Sequence, residues 1–134
     1  MKRTIKEGSM EAESRAHGFR ELNVWQLAMD VAAQIYQLTA IFPKHELYGL
    51  ASQMQRAAVS VPSNIAEGNK RESTKEYLHH ISIAAGSLAE LETQLLLSAK
   101  LNYAGSLPVE NLLSSFGELG KMLSGLRRSL RAKL

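Results

Sequence analysis

The chain has 134 residues, a net charge of +3 at neutral pH and a sequence pI near 9.3. Apolar residues make up 45% of it, which suits one globular domain with its own core and excludes a disordered chain. It has no cysteine, so disulfides, zinc–thiolate sites and thiol nucleophiles are excluded, and a reducing cytoplasm is the expected setting. Residues 1–18, MKRTIKEGSMEAESRAHG, are polar and lack apolar periodicity. They read as an unstructured tail without the apolar stretch of a signal peptide, leaving 19–134 for the domain.

The first helix is predicted to begin near Asn23. Asn23 would act as N-cap, Gln26 would reach back to it, and Leu22 and Leu27 would staple the entry. Its apolar stripe is Val24, Leu27, Ala28, Val31, Ile35, Leu38 and Phe42, spaced by threes and fours, and Pro43 ends it. The second helix is predicted from about Glu46. Its stripe is Leu50, Met54, Ala57, Val61, Asn64 and Gly68, with Ile65 alongside. Pro62 lies within that stripe and predicts a kink rather than a stop. Gly68 followed by Asn69 reads as a left-handed C-terminal cap.

The third helix has the clearest start, because Ser73 and Glu76 form a capping box. Its seam is Tyr77, Ile81, Ala84, Leu88, Leu91, Leu95 and Ser98, and it ends near Leu101. The run Ala84–Ser87 has little bulk, so a neighbour could approach closely. The fourth helix spans about Leu107 to Arg131, with Pro108 in its first turn and a stripe of Leu112, Phe116, Leu119, Met122 or Leu123, Leu126 and Leu130. Gly117, Gly120 and Gly125 weaken it. No run is apolar enough to span a membrane. Four such stripes predict an all-α, antiparallel, up-and-down four-helix bundle.

The stretches FRELNVWQLAMDVAAQIY, FPKHELYGLASQMQRAAVSVPSNIAEGNKRES and ISIAAGSLAELETQLLLSAKLNY carry a family likeness. They resemble the bacterial four-helix bundle family named for 23S rRNA intervening-sequence proteins, also labelled S23 ribosomal protein. More distantly they are similar to accessory proteins of diversity-generating retroelements. The resemblance implies a four-helix protomer, a ring-like homopentamer and a connection to RNA. It implies no established biochemical activity. Relatives often carry a basic residue where this chain has Ala85, and a glycine near Lys70.

Two groups of side chains are candidate contacts. Arg127, Arg128, Arg131 and Lys133 end the chain without an acid among them, and Lys70 and Arg71 follow the second helix. Both groups suit phosphate, as they equally suit a solvated helix end. No aromatic residue lies near the C-terminal group in sequence, which favours contact with the RNA backbone over the bases. Arg56, Asn64 and Glu67 are the polar residues of the family-like segment. Asn64 could bond backbone carbonyls freed by Pro62. Glu67 could cap a neighbouring helix or pair with Arg56. Glu76 and His79 form a Glu-x-x-His pair, which di-iron bundles use on two helices; here it occurs once, so no metal or other cofactor is expected. His79 and His80 are expected at the surface. Trp25 and Tyr36 are expected at helix or subunit contacts. Together these features predict a non-enzymatic, oligomeric, RNA-associated bundle. The alternative is a protein-interaction scaffold or accessory subunit for a nucleic-acid enzyme.

Overall fold

The computed structural model describes residues 18–134; the expected tail lies outside the described residues except for Gly18. A 3-10 turn at Gly18–Glu21 leads into α1 (Asn23–Thr39). A second 3-10 turn at Lys44–Glu46 precedes α2 (Leu50–Lys70), and α3 (Thr74–Lys100) and α4 (Ser106–Arg131) follow. No strand occurs among the described residues. α1 packs on α2, α2 on α3, α3 on α4 and α4 back on α1. Short connections make each helix antiparallel to its chain neighbour, so the fold is an up-and-down four-helix bundle.

The stripes meet on the bundle axis. Every predicted seam residue of α3, from Tyr77 to Ser98, is buried. In α2 the stripe Leu50, Met54, Ala57, Val61, Ile65 and Gly68 is buried, and the helix continues through Pro62. α1 contributes Val24, Ala28, Val31, Ile35 and Leu38, with Phe42 beyond its end, and α4 contributes Val109, Leu112, Phe116, Leu119, Leu123 and Leu130. Leu27, Met122 and Leu126 pack against this core from its margin.

The helix ends depart from the sequence reading in instructive ways. Asn23 is the first helical residue rather than the cap; Leu22 precedes it without a side-chain bond. The preceding 3-10 turn presents the Arg20 carbonyl, and Gln26 donates its Nε2–H to that oxygen at 2.9 Å. α1 stops at Thr39, before Pro43, where Thr39 Oγ1 donates to the Ile35 carbonyl at 2.8 Å. α2 starts at Leu50, because Lys44–Glu46 forms its own turn and Glu46 Oε1 accepts the Leu50 N–H at 3.2 Å. At α3 Ser73 is the N-cap, as read, with its Oγ accepting the Glu76 N–H at 3.0 Å. α3 closes on Asn102, which takes a φ of 60°. The Tyr103 N–H donates to the Ser98 carbonyl and the Asn102 N–H to the Ala99 carbonyl, a Schellman pattern with asparagine in the left-handed position.

Gly68 does not cap α2. It lies inside the helix, which runs on to Lys70, and neither it nor Asn69 has positive φ. Its role is close approach. A Cβ there would lie 2.8 Å from His80 Cβ and 2.9 Å from Tyr77 Cδ1. Asn69 is buried and donates its Nδ2–H to the Tyr77 hydroxyl at 3.3 Å. The small-residue run on α3 behaves differently along its length. Ala84 is fully buried, whereas a Cβ on Gly86 would meet nothing within 4 Å.

At the other end of the bundle, two connections are tied together. The Tyr103 hydroxyl donates to Glu46 Oε2 at 3.0 Å and lies 3.3 Å from His45 Nε2. Its ring stands 5.4 Å from that of Phe42. The Leu50 N–H, then the Tyr103 hydroxyl, hold the Glu46 carboxyl below its ordinary value of 4.5. The hydrogen bond to Glu46 pushes the Tyr103 phenol above its ordinary 10.0.

Gly68→Ala is expected to destabilise the fold by about 1–3 kcal/mol through overpacking. Gly86→Ala is expected to raise the melting temperature slightly, since alanine is the better helix former by about 1 kcal/mol. Thermal melts of the two variants check the pair. The Glu46–Tyr103 tie has a defined pH window. A lowered folded pKa contributes stability above 4.5 that is lost as pH falls through the folded value. A raised one contributes below 10.0 and is lost as pH rises through the folded value. The gap in melting temperature between wild type and Tyr103→Phe is therefore expected to be widest between those limits and to close at both extremes.

Candidate nucleic-acid interface

Chain direction decides which cations meet. α1 and α3 begin, and α2 and α4 finish, at the same end of the bundle. That end therefore holds Arg20, Lys70, Arg71, Lys75, Arg127, Arg128, Arg131 and Lys133, against the acids Glu21, Glu67, Glu72 and Glu76. The opposite end holds Lys44, His45, Glu46 and Lys100, with exposed Ile41, Leu47, Tyr48, Leu101 and Leu107. The two basic groups picked out in the sequence thus occupy one end.

The C-terminal group surrounds a shallow cleft. Ser124, Arg127, Arg128 and Arg131 line an open space of about 230 Å³. Arg127 and Arg131 are one turn apart on α4, and Arg128 and Arg131 share the neighbouring spacing. The carbonyl end of α4 favours positive charge there. Arg127 is half-buried, and its Nε is shielded without a hydrogen-bond partner; Arg128, Arg131 and Lys133 are exposed.

The second group lines its own cleft. Phe19, Ala66, Glu67, Lys70 and Arg71 surround about 340 Å³ of open space. Gly18 has a φ of +81°, and a Cβ on it would lie 3.2 Å from Lys70 Nζ. The glycine lets the Lys70 side chain lie against the entry turn, beside Phe19. The Phe19 ring in turn rests on Trp25, with centroids 5.2 Å apart and planes tilted by 54°. Sequence reasoning missed Phe19, because it sits far from Lys70 along the chain and precedes any helical periodicity.

The family-like polar residues divide by location. Arg56 is exposed about a third of the way along α2, about 20 Å along the axis from Lys70. Asn64 is half-buried; its Nδ2 donates to the Ser60 carbonyl at 2.9 Å and to Ser60 Oγ at 3.1 Å. Pro62 frees the Ala58 carbonyl, so the expected pairing of Asn64 with that group is replaced by one with Ser60. Asn64 Oδ1 lies 3.0 Å from His80 Nδ1, which must be the donor. Glu67 Oε2 stands 3.7 Å from the same nitrogen, rather than at Arg56 or a helix start. The His80 side chain is only 14% exposed, contrary to its expected surface position, because Gly68 draws α3 against α2 at that level. Ser60 and Ser87 hydroxyls bond at 2.8 Å and extend the polar line between α2 and α3. Asn64 and His80 are thus part of the packing between helices.

Glu76 and His79 are both exposed, and no group of three metal-ligating side chains occurs among the described residues. No described helix is long and apolar enough to cross a membrane. Trp25 and Tyr36 lie on a groove between α1 and α2, with Met29, Ala32, Val59 and Pro62, of about 450 Å³. Tyr36, Met29 and Val59 are 48%, 45% and 42% exposed, an apolar surface facing water.

Comparison with known proteins agrees with this architecture. Residues 20–125 match a family model described as 23S rRNA-intervening sequence protein. A crystal structure of a protein of unknown function from the S23 ribosomal protein family of Bacteroides thetaiotaomicron is similar at a TM-score of 0.73 and 21% identity, covering 78% of this chain and 95% of that one. At that identity the likeness speaks for the fold alone. No curated protein matches the sequence.

Proposed function

The chain belongs to the 23S rRNA-intervening sequence protein family, and from that premise we propose that it is a non-enzymatic bundle that binds RNA phosphates through its basic end. The carrying observation is topological. Antiparallel packing gathers Lys70, Arg71, Arg127, Arg128, Arg131 and Lys133 at one end, with three of the arginines around a single open cleft. Such contacts attract the RNA backbone without reading sequence.

Self-association of identical copies is part of the same proposal. The apolar groove on α1 and α2, with Tyr36, Met29 and Val59 in water, supports a contact between copies. A ring of five is the assembly that the family resemblance implies. Parallel packing in such a ring would place every basic end on one rim and strengthen its field. The same groove also favours the second reading, in which the bundle docks on a protein partner and meets nucleic acid through it.

A salt series on material of known mass tests the reading. Light scattering is expected to give a mass of five chains, and a monomer would contradict the assembly. RNA affinity is expected to fall steeply with salt. Replacing Arg127, Arg128 and Arg131 by alanine is expected to reduce the log–log slope by about 2–3. Flat affinity, or no binding at low salt, would remove the RNA reading. A stoichiometric protein partner that survives nuclease treatment would then favour the second.

A further inference from the structure

The cleft beside Lys70 differs in chemistry from the arginine cleft on α4. Its wall carries a carboxylate, Glu67, and an aromatic ring, Phe19, as well as cations. A cleft serving phosphate alone gains nothing from a carboxylate, which repels the ligand. The same carboxylate suits the N–H edge of a base, and a ring suits its face. Resting on the RNA reading above, we propose that Phe19, Glu67 and Lys70 form a subsite for one unpaired guanine nucleotide.

Each group has a distinct task. Phe19 packs against Trp25, which helps hold its ring in place at the cleft. The Glu67 side chain is 61% exposed at the cleft wall and can accept hydrogen bonds. Guanine presents two adjacent N–H donors on its pairing edge, which match the two oxygens of a carboxylate. Adenine presents one donor beside an acceptor nitrogen, which opposes it. That pairing edge is free only in an unpaired base, so a duplex cannot enter. Lys70, lying over Gly18 at the cleft mouth, meets the attached phosphate.

The test uses the full chain and its single tryptophan, Trp25, which rests on Phe19. Three RNAs are compared at one low salt concentration: an unpaired purine strand with isolated guanines, the same strand with adenine in their place, and the guanine strand annealed to its complement. The guanine strand is expected to shift Trp25 emission and to bind about fivefold or more tighter than the duplex, as loss of one stacked base implies. Phe19→Ala and the apolar replacement Phe19→Leu are both expected to erase that advantage and leave duplex affinity unchanged. Glu67→Gln is expected to erase the preference for guanine over adenine. Equal affinity for the three RNAs, unaffected at Phe19, would overturn the subsite and leave phosphate binding standing. Failure of every RNA to bind would end both.

Discussion

Each of the four helices carries an oily stripe that can leave water only by facing the other three. The short connections at residues 71–73 and 101–105 permit no neighbour arrangement but antiparallel, and the turn-bearing connection 40–49 gives the same arrangement. That constraint sets more than the core. It fixes which helix ends share a side of the molecule, and so it gathers charges that lie far apart along the chain. The basic end is a by-product of burying Ile35, Met54, Leu91 and Leu119 together.

Within that frame the α2–α3 pair is the most specific part. Gly68 admits Tyr77 and His80 at distances no larger residue would allow. Along the same interface Ser60, Asn64, His80 and Ser87 exchange hydrogen bonds. A purely apolar seam would tolerate sliding by a turn, whereas paired polar groups on facing helices fix one register. That register also sets Glu67 Oε2 3.7 Å from His80 Nδ1, one residue before the glycine that admits the neighbouring helix.

Much of this was legible in the sequence, for reasons that also explain what was not. The seam from Tyr77 to Ser98 is read correctly at every position, because its alternation of four and three has one helical interpretation. Ser73 as the cap of α3 is a local signal and is present as read. The first helix does start at Asn23, as read, but its capping bonds are not those expected, and the second starts later than Glu46, because 3-10 turns supply the bonds that cap residues were expected to make. Gly68 misleads because a sequence cannot distinguish a glycine that turns the chain from one that admits a neighbour. Each cationic cluster is visible on its own, but their meeting at one end is a long-range consequence of topology. Phe19 carries no periodic signal, and only the entry turn over Gly18 brings it to Lys70.

The central claim is that the two basic clusters share one end of the bundle. The chain has no cysteine, so spin labels can be placed singly and in pairs without background. Labels at Glu72 and Ser129, both exposed, should lie about one or two helix diameters apart, roughly 10–20 Å. Labels at Asn102 and Ser129 should lie about 35–40 Å apart, the length of α4. A Glu72–Ser129 distance near that longer value, measured by pulsed electron resonance in solution, would contradict the antiparallel order and the basic end with it.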